Sequence, residues 1–464
     1  MRKRALVEGI LILSSCVWFR PAAYAQTPYI PPPRDWAYRN PLADSVAGID
    51  LYRAYELLRG RTSHQVIVAV IDNGFDINHE DLKNVIWTNK KEIPGNQVDD
   101  DHNGYVDDVH GWNFRSARDG TVAENEQSET TRIIALGRAK YETADSTRLS
   151  AKDRAGLRGY LRAKKEYLRA INPNMDHSDT GEVRYAKNLD FSSSAVIGDD
   201  PMNPSERSYG SPFMNLTPLL THGTHVAGII AAQRNNGVGI DGIADNVLIM
   251  PIVATTASGD ERDKDVANAI RYAVDNGARI INMSFGKEFS RDKRVVDDAI
   301  RYAEKNDVLI VHAAGNDGED DDAWPHYPVA DYGGGRAKNF ISVGWSRWKF
   351  DERLAHPFSD YGPRTVDVFA PGSEIFSSVP GDKYEKKSGS SMSAPMVTGV
   401  AALLLSYFPQ LSAVQLKEII MASSFRPTTI VNKPGTNQKV PFRSLSVSGG
   451  IVNAYNAVSA ALRR

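Results

Sequence analysis

The fold is decided by the stretch VIVAVIDNG, residues 66–74. Its first six residues are apolar, five of them β-branched, and a carboxylate and a turn follow at once. A continuous apolar run of this length is typical of a strand buried on both faces of a parallel sheet, because a strand with one wet face would alternate. The stretch therefore predicts a buried parallel strand that ends at Asp72.

Four further apolar runs repeat this design, and segments with helical spacing lie between them. Apolar residues recur every three to four positions over 266–274 and over 295–303, as expected for amphipathic helices. Alternating strands and helices predict an α/β fold, with a doubly wound, mostly parallel sheet flanked by helices on both faces. Side chains that do chemistry should then lie at the carboxyl ends of the strands. The further runs are Val247–Val253, Arg279–Phe285, Val308–His312 and Phe340–Val343.

One long segment, residues 113–220, interrupts this alternation. It is charged and helix-prone at first, and then rich in Pro, Ser, Asn and Gly. Between Lys152 and Arg169 it carries seven basic and two acidic residues, which indicates either a solvated helix face or a partner surface. We therefore expect one large domain, residues 46–464, with a largely helical and irregular insertion that forms a lid or a partner surface beside the active site.

The overall composition narrows the class of protein. Of the 464 residues, 41% are apolar, enough for a sizeable core. The 55 basic and 57 acidic residues give a net charge of −2, which argues against a nucleic-acid partner. The only cysteine is Cys16, so an internal disulfide and a multi-cysteine zinc site are excluded. The chain also lacks the long uninterrupted apolar run of an ordinary membrane span.

The first 25 residues resemble an export signal. Basic residues 2–4 precede a mostly apolar segment, and the small residues of Ala23–Ala25 offer a cleavage site. The pattern predicts a signal peptide over 1–25 and a periplasmic or extracellular protein. Two alternatives remain: an uncleaved anchor, and a lipoprotein held at the membrane through Cys16, since residues 13–16 (LSSC) resemble a lipobox. The proline-rich segment 26–45 is predicted to be an extended arm.

Four segments place reactive side chains where predicted strands meet predicted helices. Together they supply a carboxylate, an imidazole, an amide and a hydroxyl, which is the set that acyl transfer to a serine requires. The hydroxyl attacks, the imidazole takes its proton, the carboxylate fixes the imidazole tautomer, and amide donors stabilise the oxyanion. The four residues are Asp72 after the first strand, His222 in THGTHVAG (221–228), Asn316 after an apolar strand, and Ser391 in GSSMSAP (389–395).

The order Asp72, His222, Ser391 and the motifs around these residues resemble the subtilisin-like serine protease family, the subtilases, over residues 46–112 and 221–460. The segment HGTHVAG matches the family motif without change. Three small departures occur: Asn73 stands where the family usually has Ser or Thr, Ser390 replaces Thr, and Ser393 replaces Ala.

The resemblance implies a role for each residue. Ser391 would be the nucleophile, His222 the general base and acid, and Asp72 the orienting carboxylate. Asn316 and the backbone N–H of Ser391 would form the oxyanion hole. The expected protein is an exported serine endopeptidase, a monomer without an organic cofactor, that acts on proteins or peptides. The alternative is a catalytically latent peptide-binding or scaffold protein on the same fold.

Two segments resemble the family's substrate-binding walls. Ser284, Phe285 and Gly286 match the strand that pairs with an extended substrate and lines the S1 pocket, and Thr256–Asp260 occupies the place of the opposite edge. The acidic run Glu319–Asp322 after Asn316 would favour basic substrate residues, hold a cation, or form a solvated loop, so the preference stays open.

The stretch DDDHNGYVDD, residues 99–108, predicts a structural calcium site. Oxygen ligands at alternating positions before a glycine match the first half of a calcium-binding loop, and five crowded carboxylates would repel each other without a cation. By resemblance, Asp81 would ligate a second calcium together with the loop 235–240. His225 lies three residues after His222, but no third zinc ligand is evident and we expect it to pack structurally. The predicted ligands in the stretch are Asp99, Asp101, Asn103, Tyr105 and Asp108, with Asp107 as an alternative to Asp108.

Overall fold

A seven-stranded parallel sheet is the framework of the computed structural model, which describes residues 31–170, 186–214, 217 and 219–464. The strands are β1 (Val66–Asp72), β2 (Trp112–Asn113), β3 (Val247–Val253), β4 (Ile280–Met283), β5 (Leu309–Ala313), β6 (Phe340–Ser346) and β7 (Val368–Pro371). Their order across the sheet is β2-β3-β1-β4-β5-β6-β7. Two antiparallel hairpins accompany the sheet: β8 (Ile375–Val379) with β9 (Lys383–Lys387), and β10 (Ile430–Asn432) with β11 (Lys439–Pro441).

Ten α-helices are present in the described part of the chain. Short 3₁₀ helices lie at Trp36–Tyr38, Ser146–Arg148 and Phe442–Ser444. The α-helices are α1 (Leu51–Leu58), α2 (Glu129–Tyr141), α3 (Ala151–Ala170), α4 (Ser194–Ile197), α5 (His222–Ala231), α6 (Asp263–Asp275), α7 (Lys293–Lys305), α8 (Ser390–Tyr407), α9 (Ala413–Ser423) and α10 (Ala454–Ala461).

Helices cover both faces of the sheet, which explains the uninterrupted apolar runs. Val68 and Val70 of β1 pack in one hydrophobic cluster with α1, α5, α8, α9 and α10. Ala69 and Ile71 point the other way and pack with α6 and α7. Because alternate side chains of every central strand meet a helix layer, neither face is left for polar residues. The predicted doubly wound α/β fold is confirmed.

The topology places a crevice at the end of β1. The chain runs from β1 to β3 on one side, and then returns to form β4 on the other side of β1. The connections therefore diverge above the carboxyl end of β1, and such a switch point leaves room for a ligand between the loops. Asp72 is the last residue of this strand.

The chain divides into two units, Met1–Pro33 and Arg34–Arg464, and the architecture above is that of the second. The predicted signal peptide and Cys16 lie outside the described residues. An extended arm was predicted over residues 26–45. This prediction is wrong for residues 34–45, the part of the arm that belongs to the second unit. There the chain forms a 3₁₀ helix and buries Trp36 in the core, because an indole contributes more by packing than by remaining in solvent.

One helix of the described residues, α8, is long and apolar enough to cross a bilayer by composition. However, 89% of it is buried inside the domain. Its side chains contact both the sheet and α5, so its hydrophobicity is that of a central core helix.

The insertion contributes α2, α3 and α4 and is anchored by buried ion pairs. Arg115 donates to Asp265 at 2.8 Å and to Glu126 at 2.9 Å, and all three side chains are buried. Lys287, directly after the predicted substrate-binding segment, pairs with Asp263 at 2.8 Å. The described part of the insertion is largely helical and irregular, as its composition predicted.

Paired cations keep these buried carboxylates ionised. Burial alone would raise the pKa of Glu129, but the positive charges of Arg132 and Lys287 outweigh that effect and lower it to about 2. Burial likewise opposes ionisation of Asp265, yet Arg262 and Arg115 hold its pKa well below the usual range. The network therefore depends on every partner being present, because an unpaired buried charge is costly.

Arg115→Met should lower the free energy of unfolding by about 3–5 kcal/mol, because the buried carboxylates of Glu126 and Asp265 each lose one ion-pair partner. The measurement is urea unfolding in a Ser391→Ala background, which the resemblance predicts to be unable to digest itself. Arg138→Met is the matched control, since the Arg138–Asp190 pair is 51% and 80% exposed, and it should cost about 0–1 kcal/mol. Equal effects of the two variants would contradict the anchoring role.

Candidate active site

The carboxylate of Asp72 and the ring of His222 lie in direct contact at the carboxyl end of β1. The Nδ1 atom of His222 is 2.8 Å from Oδ1 and 3.0 Å from Oδ2 of Asp72. Asp72 is only 2% exposed, and its Oδ1 also accepts the N–H of Asn73 at 2.8 Å. A carboxylate on Nδ1 keeps the ring proton there, which leaves Nε2 able to accept a proton.

Asn73, the residue after Asp72, is hydrogen-bonded to the segment that carries His222. Its Oδ1 accepts the backbone N–H of His222 at 3.2 Å and that of Gly223 at 3.4 Å. These N–H groups start α5 and have no partner within the helix, so they need an acceptor from elsewhere. The residue that departs from the family pattern therefore caps the helix that carries His222.

Ser391 lies in the first turn of α8 and is held against the end of β4 by two reciprocal hydrogen bonds. Its hydroxyl donates to the carbonyl of Ser284 at 2.9 Å, and the hydroxyl of Ser284 donates to the carbonyl of Ser391 at 2.9 Å. That second carbonyl is available because Pro395, four residues later in the helix, has no N–H to donate to it. In the described structure the Ser391 hydroxyl thus bonds to Ser284 and not to His222.

Asn316 is oriented by the residue before the serine. Its Oδ1 accepts both the backbone N–H of Ser390 at 2.8 Å and the Ser390 hydroxyl at 3.0 Å. Because these bonds occupy the amide oxygen, the amide N–H groups remain for the cleft that Asn316 lines. The Ser at position 390 thus retains a hydroxyl where the family usually has Thr.

These side chains line one cleft of about 400 Å³. Ser284–Gly286 forms one wall, and Thr255, Thr256 and Gly259 lie at the opposite edge. The predicted edge segment therefore reaches the cleft only in part. Asp260, at its end, is directed into the protein and accepts the N–H of Glu129 at 2.7 Å.

The insertion supports this edge. The N–H of Glu126 donates to the carbonyl of Ser258 at 3.0 Å, and Asn125 bridges to Ser258 in the manner of a short parallel strand. Of the described residues that line the cleft, none belongs to 113–220. The residues of the insertion that the structure describes therefore form no lid over the cleft; buried ion pairs hold them beside the edge.

Two residues of the cleft carry no sequence signal. Glu261 is 5% exposed, its Oε1 has no partner among the described residues, and burial raises its pKa to about 8. His326 packs directly on the wall, since a Cβ added to Gly286 would lie 2.3 Å from its ring. Only the fold brings position 326 to position 286, so no local pattern marks it.

The acidic stretch 99–108 brings part of its predicted ligand set together. Asp99, Asp101 and Glu92 each place a carboxylate oxygen within 4.8 Å of the others. Glu92 was not predicted, because it lies before the stretch and enters the loop through turns. Its pKa is raised by burial and by the neighbouring carboxylates.

The other predicted ligands in this stretch stabilise the loop. Asn103 donates to Asp108 at 3.1 Å, and Asp108 also accepts the Tyr272 hydroxyl at 2.5 Å. Burial raises the pKa of Asp108 to about 6. The ring of Tyr105 packs among Trp112, Phe114 and Tyr272. The structure therefore brings Asp99 and Asp101 into the carboxylate cluster, while Asn103, Tyr105 and Asp108 lie around it.

Asp81 lies against the loop with which it was expected to act. Its oxygens accept the side-chain amide of Asn236 at 2.7 Å and the N–H of Ile240 at 3.0 Å. His225, by contrast, is buried with its Nε2 3.0 Å from the carbonyl of Ile375. Burial lowers the pKa of His225 to about 3, which is consistent with the predicted structural role.

Comparison with known proteins agrees with this geometry. The model of the subtilase family matches residues 63–445. Because that range covers most of the chain, this protein belongs to the subtilase family.

Individual relatives match over shorter ranges. A thermophilic serine proteinase from Bacillus sp. strain AK1 is 37% identical over 241 residues, which are 52% of this chain and 53% of that protein. Thermitase from Thermoactinomyces vulgaris is 40% identical over 40% of this chain and 61% of its own. The chain thus spans between half and two thirds of these relatives. A solved protease structure from Pseudoalteromonas arctica PAMC 21717 shares the fold, with a TM-score of 0.53, 21% identity, and coverage of 92% of this chain and 97% of that one.

Gly223→Ala should separate His222 from Asp72. A Cβ at this position would lie 2.5 Å from the carbonyl oxygen of Gly74 and 3.0 Å from Cβ of Asp72, so α5 must move away from β1. We expect the low-field NMR signal of the hydrogen-bonded His222 Nδ1 proton to disappear. Gly159→Ala is the control, because a Cβ on that helical glycine meets nothing within 4 Å. Persistence of the signal in Gly223→Ala would show that the contact tolerates the shift.

Proposed function

We propose that this chain is an exported serine endopeptidase that hydrolyses peptide bonds in proteins or peptides. The observation that carries the proposal is the convergence of Asp72, His222, Asn316 and Ser391 on one cleft, with Asp72 bonded to Nδ1 of His222. Membership of the subtilase family supports it. Export to the periplasm or beyond rests on the composition of residues 1–25.

Hydrolysis begins when the Ser391 hydroxyl attacks the substrate carbonyl. For this step the hydroxyl turns from the Ser284 carbonyl toward Nε2 of His222, a rotation about one side-chain bond. His222 takes the proton, Asp72 stabilises the imidazolium, and His222 then returns the proton to the leaving amine. Water, activated by the same imidazole, hydrolyses the acyl-enzyme on Ser391.

The oxyanion of each tetrahedral intermediate is stabilised by fixed donors. The Asn316 amide is held in place by Ser390 before substrate arrives, and the N–H of Ser391 is a second donor at the start of α8. Donors that are already oriented need no reorganisation as charge develops, which is why they lower the barrier. The set requires no organic cofactor.

Ser391→Ala should lower kcat by about 10⁶-fold, the size of the loss established for the nucleophile of subtilisin, a member of the same family. The cause is removal of the attacking oxygen while the rest of the cleft stays intact. The measurement compares casein and fluorogenic peptide turnover of the two proteins after their folding has been matched by circular dichroism.

Asn316→Ala distinguishes transition-state stabilisation from substrate binding. It should lower kcat by about 10²- to 10³-fold with little change in KM, because the oxyanion exists only during the reaction.

Unchanged turnover in Ser391→Ala would refute the assignment of the nucleophile.

A latent peptide-binding protein is the second candidate function. The observation that favours it is the Ser391 hydroxyl bonded to Ser284 instead of His222. A serine-directed phosphonate separates the two, since it reacts only with an activated hydroxyl. Labelling of Ser391 supports the peptidase, whereas a folded protein that resists labelling and cleaves no casein supports the latent binder.

We also propose that the cluster of Glu92, Asp99 and Asp101 holds a structural calcium ion. The donors are all carboxylate oxygens within 4.8 Å of one another, which suits a hard cation that takes oxygen ligands. Asn103 and Asp108 would keep the loop in shape around it. Asp81 with the loop 235–240 is proposed as a second site.

Chelation should therefore lower thermal stability. Calcium at one hundred times its Kd would stabilise the folded state by about 2.7 kcal/mol, and calorimetry of the Ser391→Ala protein with and without EGTA measures that loss. Asp101→Asn should abolish the effect of calcium at this cluster, and Asp119→Asn, an exposed loop variant, should keep it. A melting temperature unaffected by EGTA would rule out a stabilising ion.

A further inference from the structure

A second cavity of about 330 Å³ adjoins the proposed catalytic cleft, because Asp317 and His326 line both. Its walls come from the segment after β4, from the loop after β5 and from helix α3 of the insertion. Five carboxyl groups and two guanidinium groups line it. The carboxyl groups belong to Glu166, Glu288, Asp317, Glu319 and Asp360.

The acidic run after Asn316 divides into paired and unpaired residues. Asp322 pairs with Arg364 at 3.0 Å and Asp320 approaches Lys433 at 4.0 Å. Neither of these two lines the cavity. Asp317 and Glu319 do line it, and in the described part of the chain neither forms an ion pair.

Asp360 contributes a buried carboxylate with a free oxygen. It is 2% exposed, and its Oδ1 accepts the N–H groups of Asp317 at 3.0 Å and Glu319 at 2.8 Å. Its Oδ2 receives no hydrogen bond from any residue that the structure describes. Burial and the nearby carboxylates raise the pKa of Asp360 to about 7. Because an ionised carboxylate oxygen accepts hydrogen bonds, Oδ2 is able to take a cationic or hydrogen-bonding partner.

The two arginines that line the cavity have other partners and do not neutralise these carboxylates. Arg169 pairs with Glu166 at 2.9 Å. The guanidinium of Arg162 lies over the ring of Phe289, 4.5 Å from its centroid. The cavity thus accommodates a guanidinium group on an aromatic floor, while Asp317, Glu319 and Asp360 remain uncompensated.

The cleft and the second cavity meet beside Gly286 and Gly315, since Asp317 and His326 line both cavities; we call this junction the slot. An added Cβ at Gly286 would lie 2.3 Å from the His326 ring, and one at Gly315 would lie 1.9 Å from Oδ2 of Asp360. The two glycines belong to the proposed substrate-pairing wall and to the segment that carries Asn316. A substrate side chain that extends from the cleft into the second cavity would therefore pass His326 and Asp360.

We propose that the protein cleaves peptides after Lys or Arg, whose charged end lies among Asp317, Glu319 and Asp360. This inference rests on the proposed peptidase function and names its substrate class. His326 forms the floor of the slot, and burial lowers its pKa, so its neutral ring is able to accept a hydrogen bond from the ammonium or guanidinium group.

The test compares matched fluorogenic tetrapeptides that differ only in the residue before the scissile bond: Arg, Lys, norleucine and Glu. Wild type should prefer Arg and Lys over norleucine by at least about 10-fold, and Asp317→Asn should reduce the ratio by about 10- to 100-fold, because a charge-assisted hydrogen bond is lost. The ratio of two substrates on one preparation cancels any loss of folded protein. Asp320→Asn, a paired neighbour outside the cavity, should retain the preference.

Two further variants should each change the substrate preference in a direction that the proposal fixes. Asp317→Lys should shift the preference toward Glu, because the slot then carries a positive charge. Arg162→Gln should increase the preference for Arg and Lys, because it removes a competing cation. Cleavage of norleucine peptides at least as fast as Arg peptides, with no response to Asp317→Asn, would overturn this inference and leave the peptidase standing.

Two outcomes separate this inference from its alternatives. If no peptide is cleaved and the phosphonate does not label Ser391, the peptidase proposal fails and the preference fails with it. If Zn²⁺ inhibits wild type but not Asp317→Asn, and no preference for basic residues exists, the carboxylates and His326 bind a metal ion instead, and the inference is overturned.

Discussion

Parallel alignment of seven strands is the constraint on which the rest of the molecule depends. All carboxyl ends of the strands lie at one edge of the sheet, and the central strand β1 has β3 and β4 on either side. Residues far apart in the chain therefore meet at this edge: Asp72 ends β1, Ser284 follows β4, and Asn316 follows β5. The helices that carry His222 and Ser391 begin at the same edge, so the candidate catalytic set is a consequence of topology.

Small departures from the family motifs keep the hydrogen bonds that the site needs. Asn73 supplies a side-chain oxygen that caps α5, and Ser390 keeps a hydroxyl that fixes the Asn316 amide. Pro395 has a less obvious role. By removing one helical N–H it frees the Ser391 carbonyl for Ser284, which links α8 to the proposed substrate-binding wall. Asn73, Ser390 and Pro395 thus each determine one hydrogen bond of the candidate site.

The charged residues of the insertion lie in two different environments. The run Lys152–Arg169 indicated a solvated helix face or a partner surface, and most of its basic residues are exposed on α3. Other charged residues of the insertion, such as Arg115 and Arg132, are buried. Arg115 pairs with Asp265 of α6, and Arg132 pairs with Glu126, which precedes α2. Because Lys287 belongs to the same network and follows the wall of the cleft, the insertion supports the segment that we propose pairs with substrate. Burial of this many charges is tolerated only because each has a partner.

The sequence by itself determined five of the seven strands of the sheet, the main helices and the four motifs, because burial on both faces of a sheet and helical amphipathicity leave a local pattern in the chain. The bounds of β1 and β3 follow directly from their apolar runs. Tertiary structure alone decided which distant groups meet. It brought Glu92 to Asp99, His326 to Gly286 and Asp360 to the cavity beside the cleft, and it placed the described part of the insertion beside the cleft. The physical reason is that pairing of charges and polar atoms depends on how turns and loops fold against one another, which no local spacing records.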